Sequence, residues 1–227
     1  LVPASDTRET EAFCVAKYEM KDVSGVATSE AAGTPWVNVT RNEAIEACQS
    51  LGDGYNLINN TEWQSLAQNI EGTAYNWNNA VVGDTGGMNV GHTDNTPAGM
   101  IAASTDDNDS CNGTGQTCSG TVWNGQRRTH LLSNGSVIWD LGGNVWEWVL
   151  DDSVTNYGAD SYLSVLTDST HSVEGSVAGS LGTARDHFGT NGVYTSLSSG
   201  VYGGIGYAWI INYTAGAILR GASWDRL

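Results

Sequence analysis

The sequence predicts an α+β fold with two short helices, small and mostly antiparallel sheets, and a high loop content. Helical periodicity is confined to the first third of the chain. From Gly72 onward, short apolar runs are separated by polar loops, which differs from the alternating strands and helices of a βαβ fold. The 29 glycines, against three prolines, indicate many turns.

Composition limits the function classes. The 227 residues, 40% of them apolar, suffice for one large core. We therefore expect a single domain over residues 1–227, with a loop-rich elaboration at about 151–206. The 25 acidic and nine basic residues give a net charge of −16, which disfavours binding to nucleic acid. No stretch reaches the roughly 20 apolar residues that span a bilayer, so we expect no membrane insertion.

Both helices have recognisable starts. Thr40 and Glu43 form a capping box, whose side chains satisfy backbone donors at a helix N-terminus. The second helix is predicted to open at Asn59 or Asn60, where apolar residues follow at helical spacing. The apolar faces consist of Ala44, Ile45, Ala47, Cys48 and Leu51 in the first helix and Trp63, Leu66, Ala67 and Ile70 in the second.

Strand candidates occur before and after the helices. FCVAKYEM, residues 13–20, has the composition of a strand. The later candidates are TVWNG, SVIWDL, VWEWVL, YAWIIN and AILRGA. The segment 151–206 contains the least regular sequence, and ordered loops of such length are usually functional.

The four cysteines predict two disulfides. Cys111 and Cys118 lie in a polar, glycine-rich loop that is able to bend and join them, and Cys14 and Cys48 are the second expected pair. The alternative is four free thiols. No CxxC spacing occurs, so zinc is not expected. A loop disulfide in an acidic, lysine-poor chain favours an extracellular or cell-surface location, with any targeting segment outside this sequence.

The stretch WDLGGNVWEW, residues 139–148, has the donors of a calcium site. Asp140 and Glu147 are hard oxygen ligands, and the glycine pair between them lets the backbone turn back. The alternative is a metal-free turn in which Glu147 accepts backbone hydrogen bonds. In either case we expect the three tryptophans to be core residues. They are Trp139, Trp146 and Trp148.

Several motifs occur in a characteristic order: LVPAS, FCVAKYEM, PWVNVTRNEAIEACQSLG, YNLINNTEWQSLAQ, WDLGGNVWEW and ILRGASW. This order resembles the formylglycine-generating enzyme (sulfatase-modifying factor) family, a variant of the C-type lectin fold. The resemblance covers most of residues 1–150 and the last dozen. It implies calcium at the turn, bound by the Asp140 side chain, the Gly143 and Val145 carbonyls and the Glu147 carboxylate.

Enzymes of this family use copper held by two cysteines shortly after the motif that RGASW resembles. Here no cysteine follows Cys118, and monovalent copper needs thiolate ligands. We therefore expect neither copper nor oxidase activity from this chain. The four histidines show no HxxxH or HExxH spacing, and no GxSxG is present, so no other catalytic motif replaces it.

A second acidic stretch, DDNDSCNG at 106–113, has the composition of another cation site. Carbonyls near Asn89 and Val90 are its expected partners. The alternative is a solvated loop organised only by the cysteines beside it.

The same fold serves non-catalytic roles in the variable proteins of diversity-generating retroelements and at the tips of bacterial adhesive fibres. By resemblance we expect an adhesin or receptor-binding module for a glycan or a protein. Aromatic and polar side chains supply such contacts. The candidates are Tyr202, Tyr207, Trp209, Asn212, Tyr213, Arg220, Trp224 and Asp225.

Alternatives stay open for the role of YAWIINY and for the function of the whole chain. YAWIINY forms either a ligand-contact surface or, alternatively, a buried strand or oligomer interface. Trp224 is expected to pack under the RGASW turn. The chain is either a binding module, a fibre assembly domain expected to be a homotrimer, or a truncated oxidase. Since the family closes its sheet with a strand beyond RGASW, residues 13–20 are expected to present an unpaired edge that a partner covers.

Overall fold

The predicted α+β class is confirmed. In a computed structural model of the chain, the described residues are 1–6, 9–82, 87–119, 122–152, 172–173, 208–211, 217–221 and 223–225. They form helices α1 (Arg41–Gln49) and α2 (Asn60–Glu71), with two short 3₁₀ turns after α2 (Ala74–Asn76 and Asn78–Ala80). The strands are β1 (Met20–Val23), β2 (Val26–Ser29), β3 (Thr129–Leu131), β4 (Val137–Trp139), β5 (Glu147–Asp152), β6 (Ser172–Val173), β7 (Ala208–Ile211) and β8 (Ala217–Arg220).

Both helices start with a capping box. The Glu43 N–H donates to the Thr40 hydroxyl at 3.3 Å, and the Thr40 N–H donates to the Glu43 carboxylate at 2.7 Å. Asn59 and Glu62 exchange the same two bonds, at 2.8 and 2.9 Å. Because Asn59 is the capping residue of the second box, α2 starts at Asn60, as predicted.

Helix α2 lies in the core, whereas α1 lies at its margin. The predicted apolar face of α2 is at most 1% exposed. Around it pack Val2, Trp77, Met88, Leu132, Ile138, Leu141 and Val149. The predicted face of α1 is only partly buried, because this helix contacts β5 and β2 outside that cluster.

The strands pair antiparallel in three sheets. β1 pairs with β2, β3 pairs with β4, and the third sheet has the order β5-β8-β7-β6. Three of the five later strand candidates contain β4, β7 and β8, and VWEWVL covers the first four residues of β5. TVWNG forms a bend and a turn over its described residues. The outer side of β5 is covered, since the Leu150 N–H donates to the Ile58 carbonyl at 2.9 Å and Arg41 Nε donates to the Val149 carbonyl at 3.1 Å.

The stretch 13–20 differs from its prediction. Strand β1 begins only at its last residue, and the Val2 N–H donates to the Phe13 carbonyl at 2.7 Å. The Trp139 N–H donates to the Lys17 carbonyl at 2.9 Å. The expected unpaired edge is therefore wrong, because other segments of the same chain bond to this stretch.

The predicted Cys14–Cys48 disulfide is also wrong, since both thiols are free. Phe13 and Val15 pack against the core, and side chains alternate along an extended segment. Cys14 therefore faces solvent, while Cys48 is partly buried on α1.

No helix among the described residues is long and apolar enough to cross a lipid bilayer.

Candidate functional site

The WDLGGNVWEW turn packs backbone against backbone with two other segments. A Cβ atom at Gly91 would lie 1.8 Å from the Gly142 carbonyl oxygen, and one at Gly143 would lie 2.5 Å from the His92 carbonyl oxygen. A Cβ atom at Gly221 would come within 3.1 Å of the turn. All three glycines have positive φ angles. Only glycine allows the three segments to approach this closely.

Hydrogen bonds join the same three segments. The Gly143 N–H donates to the Gly221 carbonyl at 3.1 Å, and the Asn144 N–H donates to the His92 carbonyl at 2.8 Å. The Trp224 N–H donates to the Asn144 carbonyl at 3.0 Å. GNVWEW and RGASW thus form one unit. Sequence analysis missed its third member, the segment around His92, which carries no periodic apolar pattern.

The buried Asn144 side chain connects the turn to Ile101 and to Glu19, the residue directly before β1. Its amide donates to the Glu19 carboxylate at 2.5 Å and to the Ile101 carbonyl at 3.2 Å, and accepts from the Ile101 N–H at 2.9 Å. The Val145 N–H donates to the other Glu19 oxygen at 3.3 Å. Glu19 was not among the predicted site residues.

Asp140 lies in a buried ion pair with Arg128. Arg128 Nε donates to Asp140 Oδ1 and Nη2 donates to Oδ2, each at 2.7 Å. Asp140 is 1% exposed. Burial raises the pKa of the Asp140 carboxyl, and the Arg128 guanidinium opposes that rise. The Asp140 side chain is therefore engaged, which differs from its predicted role as an open calcium ligand.

Glu147 is a partly buried carboxyl at the start of β5. Burial raises its pKa to about 8, the hydrogen bond from Trp63 opposes the rise, and the charge of Asp140 adds to it. Burial and the charges of Asp140 and Glu147 also raise the pKa of Glu19 well above its ordinary value. Lys21, 3% exposed, donates to the Glu19 carbonyl at 2.9 Å. The turn thus concentrates acidic groups around few cations.

The remaining donors fit calcium, with one change in the ligand set. Calcium binds carboxylate and carbonyl oxygens, and the Glu147 carboxylate and the Gly143 and Val145 carbonyls are such oxygens. In the part of the chain that the structure describes, no N–H donates to these two carbonyls. Asp140 is taken by Arg128. Across the same described ranges, no three His, Cys, Asp or Glu side chains gather as metal ligands, so carbonyls and water would complete the shell.

The three tryptophans of the turn differ in burial. Trp139 is 1% exposed, as predicted for a core residue, and its Nε1 donates to Asp107 at 2.9 Å. Trp148 is partly buried, and its Nε1 donates to the Val39 carbonyl at 3.0 Å. Trp146 is partly buried as well. These contacts join the turn to the surrounding loops.

The acidic loop 106–113 is organised by a disulfide and a lysine. The predicted Cys111–Cys118 disulfide is present, and Lys17 pairs with Asp107 at 2.8 Å. The Asn89 amide instead donates to two carbonyls at the start of β3, at 2.9 and 3.0 Å. The Asn89 side chain therefore anchors that strand, and the Asn89 carbonyl oxygen lies 3.2 Å from His130 Nε2. The cation site with carbonyls near Asn89 and Val90 stays a prediction.

Four of the eight predicted ligand-contact residues lie in the described part of the chain. Arg220 is 1% exposed, so its predicted role as a ligand contact is wrong. Its Nε donates to Asn60 Oδ1 at 2.9 Å, and its guanidinium carbon lies 4.6 Å from the centre of the Trp63 ring. Arg220 therefore stabilises the packing of β8 against α2. Trp224 is partly buried and Asp225 is exposed. Trp209 lies in β7. Outside the described residues lie Tyr202, Tyr207, Asn212 and Tyr213.

An open cleft of about 420 Å³ lies between the N-terminal segment and the start of α2. Four carboxylates line it, which favours a cationic over an anionic occupant. They belong to Glu9, Glu11, Glu62 and Asp151. Among the predicted ligand-contact residues that the structure describes, none lines this cleft.

Comparison with known families gives one match. The sequence model of the family described as sulfatase-modifying factor enzyme 1-like domain (FGE-sulfatase) matches residues 6–224. The matched range includes both helices, the turn and the RGASW motif. No curated protein and no solved structure matches the chain significantly.

Proposed function

The chain belongs to the family of sulfatase-modifying factor enzyme 1-like domains, and from this premise we propose that it is a non-catalytic, extracellular or cell-surface domain. It binds a glycan or a protein on a target surface. The framework of turn, helices and disulfide loop holds the contact surface, and the contacts come from the sequence between β5 and β8.

The connection between β5 and β8 carries this proposal. The two strands pair directly, with Asp152 opposite Ala217. The intervening sequence, 153–216, therefore starts and ends at facing positions of the sheet, and it contributes β6 and β7 to that sheet. The turn at 139–148 lies outside this intervening sequence. Protein families commonly place binding residues on such connections above a rigid scaffold.

The composition of this intervening sequence suits recognition. Serine, glycine and threonine are frequent, and tyrosines recur among them. Tyrosine supplies a large contact area at low entropic cost, and the small polar residues supply adaptable hydrogen bonds. Tyr202, Tyr207 and Tyr213 are the contacts we propose first, with Trp209 and Asn212 beside them.

The state of the cysteines supports a function without copper. Monovalent copper needs a pair of thiolates. Cys111 and Cys118 are joined in a disulfide, whereas Cys14 is exposed on the N-terminal segment and Cys48 lies on α1. No other cysteine is present in this chain.

Calcium belongs to the proposal as a structural ion. It would be held at the turn by the Glu147 carboxylate and the carbonyls of Gly143 and Val145, where it supplies positive charge that the acidic groups lack. Its task is to stabilise the framework beneath the contact surface, and it takes no part in a reaction.

A binding screen tests the proposed function. The chain is applied to arrays of glycans and of target-cell surface proteins, once with calcium and once with chelator. We expect selective binding that Tyr207→Ala and Tyr213→Ala each weaken about tenfold or more without changing the melting temperature. Tyr55→Ala is the matched control, because Tyr55 is a framework tyrosine that is 58% exposed; it should bind as the wild type does.

Two outcomes would contradict the proposal. One is binding that the Tyr207 and Tyr213 variants retain in full. The other is copper bound at stoichiometric amounts together with oxidation of a cysteine-containing peptide.

A further inference from the structure

Five oxygens converge on the buried guanidinium of Arg128. Nε and Nη2 donate to the two Asp140 oxygens, each at 2.7 Å. Nη1 donates to the Ala102 and Asn112 carbonyls at 2.7 and 2.8 Å, and Nη2 also donates to the Ile101 carbonyl at 3.0 Å. The residue is 0% exposed. Every N–H of the guanidinium therefore has an oxygen partner, and none of these partners is water.

The surrounding oxygens have the chemistry of a hard-cation site. Backbone carbonyls and a carboxylate are the donors that calcium prefers. The three carbonyls come from the two ends of the loop 101–112, and the carboxylate comes from the WDLGGNVWEW turn. A positive charge at this point joins the loop to the turn, because it attracts oxygens that would otherwise face one another unpaired.

The loop has further contacts that hold its ends near this point. The Arg128 N–H donates to the Ser110 carbonyl at 2.8 Å, and the Asn112 amide donates to the Ala102 carbonyl at 3.1 Å. The disulfide from Cys111 closes the next part of the chain. These contacts do not involve the guanidinium, so we expect them to hold the carbonyls near this point when the central charge is removed.

We propose that Arg128 is a built-in cation that takes the place of a bound metal ion, and that the oxygens around it form a latent site for a divalent cation. Docking of the acidic loop on the turn is therefore independent of calcium in this chain. This inference goes beyond the proposed function and does not depend on it.

Removal of the guanidinium tests the inference. Arg128→Ala is made in a Glu147→Gln parent, which lacks the carboxylate of the proposed calcium site at the turn. Calcium binding is measured by isothermal titration calorimetry, and the melting temperature by calorimetry with calcium or EDTA. We expect Arg128→Ala to bind about one calcium more than its parent. In EDTA its melting temperature should fall by about 10 °C, and millimolar calcium should restore most of the loss.

Two further variants separate a cation site from a general loss of packing. Arg128→Lys in the same parent keeps a positive charge, so it should bind no additional calcium. Adding Asp140→Asn to Arg128→Ala removes the carboxylate, so calcium rescue should disappear. Potassium at matched ionic strength should not replace calcium.

The comparison with the parent keeps this test apart from the calcium site at Glu147. If Arg128→Ala bound no calcium beyond its parent, or stayed unfolded in calcium and in EDTA alike, the inference would be overturned. Calcium bound by the Glu147→Gln parent itself would instead contradict the assignment of Glu147 under the proposed function.

Discussion

Glu147 and Trp63 face each other across the core, with the carboxylate Oε2 3.4 Å from the indole Nε1. This long hydrogen bond joins the first residue of β5 to the first turn of α2. No Lys, Arg or His forms an ion pair with Glu147 in the described ranges. Because the charge lacks a cationic partner, burial dominates and raises the Glu147 pKa to about 8. The folded state therefore holds a proton that the unfolded chain releases.

The first prediction concerns the pH dependence of stability without calcium. The Glu147 pKa rises from 4.5 in the unfolded chain to about 8 in the folded one. The folded state binds more protons between these values, so the free energy of unfolding should fall as pH rises through this window. Glu147→Gln should remove that slope and be about 4 kcal/mol more stable than the wild type at the upper end. Urea unfolding in EDTA measures both.

The control for this slope is Glu46→Gln, which removes an exposed carboxyl on α1. It should keep the wild-type pH dependence. A Glu147→Gln variant with the wild-type slope would show that another group carries the proton.

The second prediction separates the roles of the two carboxyls at the turn. Calcium that binds the folded state stabilises it by about 2.7 kcal/mol at a hundredfold excess over its dissociation constant. We expect this stabilisation in the wild type and its loss in Glu147→Gln. Asp140→Asn should destabilise the domain by about 3 kcal/mol with or without calcium, because it leaves the buried Arg128 without its counter-ion. Calorimetric scans in calcium and in EDTA distinguish the two patterns, and calcium-dependent loss in Asp140→Asn would contradict this division.

The third prediction concerns His130, which has the opposite pH dependence. Its Nε2 lies 3.2 Å from the Asn89 carbonyl oxygen, and Nδ1 has no partner in the part of the chain that the structure describes. Burial lowers the His130 pKa to about 4, the Asn89 bond opposes this, and the charge of Arg127 adds to it. A second proton would sit on a buried nitrogen without an acceptor.

Because the folded pKa of His130 is depressed, the unfolded chain takes up protons first. Stability from this group should be complete above about pH 6.5 and should decline by about 3 kcal/mol as pH falls to about 4. His130→Gln should lack this decline. The decline is measured by acid unfolding of the Glu147→Gln single variant and of the Glu147→Gln/His130→Gln double variant, because Glu147→Gln removes the opposing slope. An unchanged acid limb would assign the loss to other groups. In the calcium-free wild type, the opposing slopes of Glu147 and His130 should nearly cancel between about pH 4.5 and 6.5.

Local signals made the helices predictable, while the site depends on distant residues. A capping box spans four residues, so Thr40 and Glu43 predict the start of α1 from the local sequence. The Asn144–Glu19 contact joins residues that are 125 positions apart in the sequence, and no local pattern predicts it. Likewise, Arg128 carries no motif that would reveal its pairing with Asp140, so Asp140 looked like an open calcium ligand.

The wrong disulfide prediction has a related cause. Cys14 has apolar neighbours in the sequence, but side chains alternate along an extended segment, so the Cys14 thiol faces solvent while Phe13 and Val15 pack inward. The Cys111–Cys118 disulfide was predictable because its loop is short, polar and rich in glycine, so the two ends meet within one local element.

The last prediction concerns the close backbone packing at the turn. Gly91 and Gly25 have nearly the same positive φ, +79° and +82°, but differ in their surroundings. A Cβ atom at Gly91 would overlap the Gly142 carbonyl, whereas nothing lies within 4 Å of one at Gly25. Gly25→Ala should cost only the strain of the left-handed conformation, about 1–2 kcal/mol. Gly91→Ala adds a backbone clash and should cost about 4 kcal/mol or more. Urea unfolding of both variants measures the difference, and equal losses would mean that the three segments of the turn are not packed backbone to backbone.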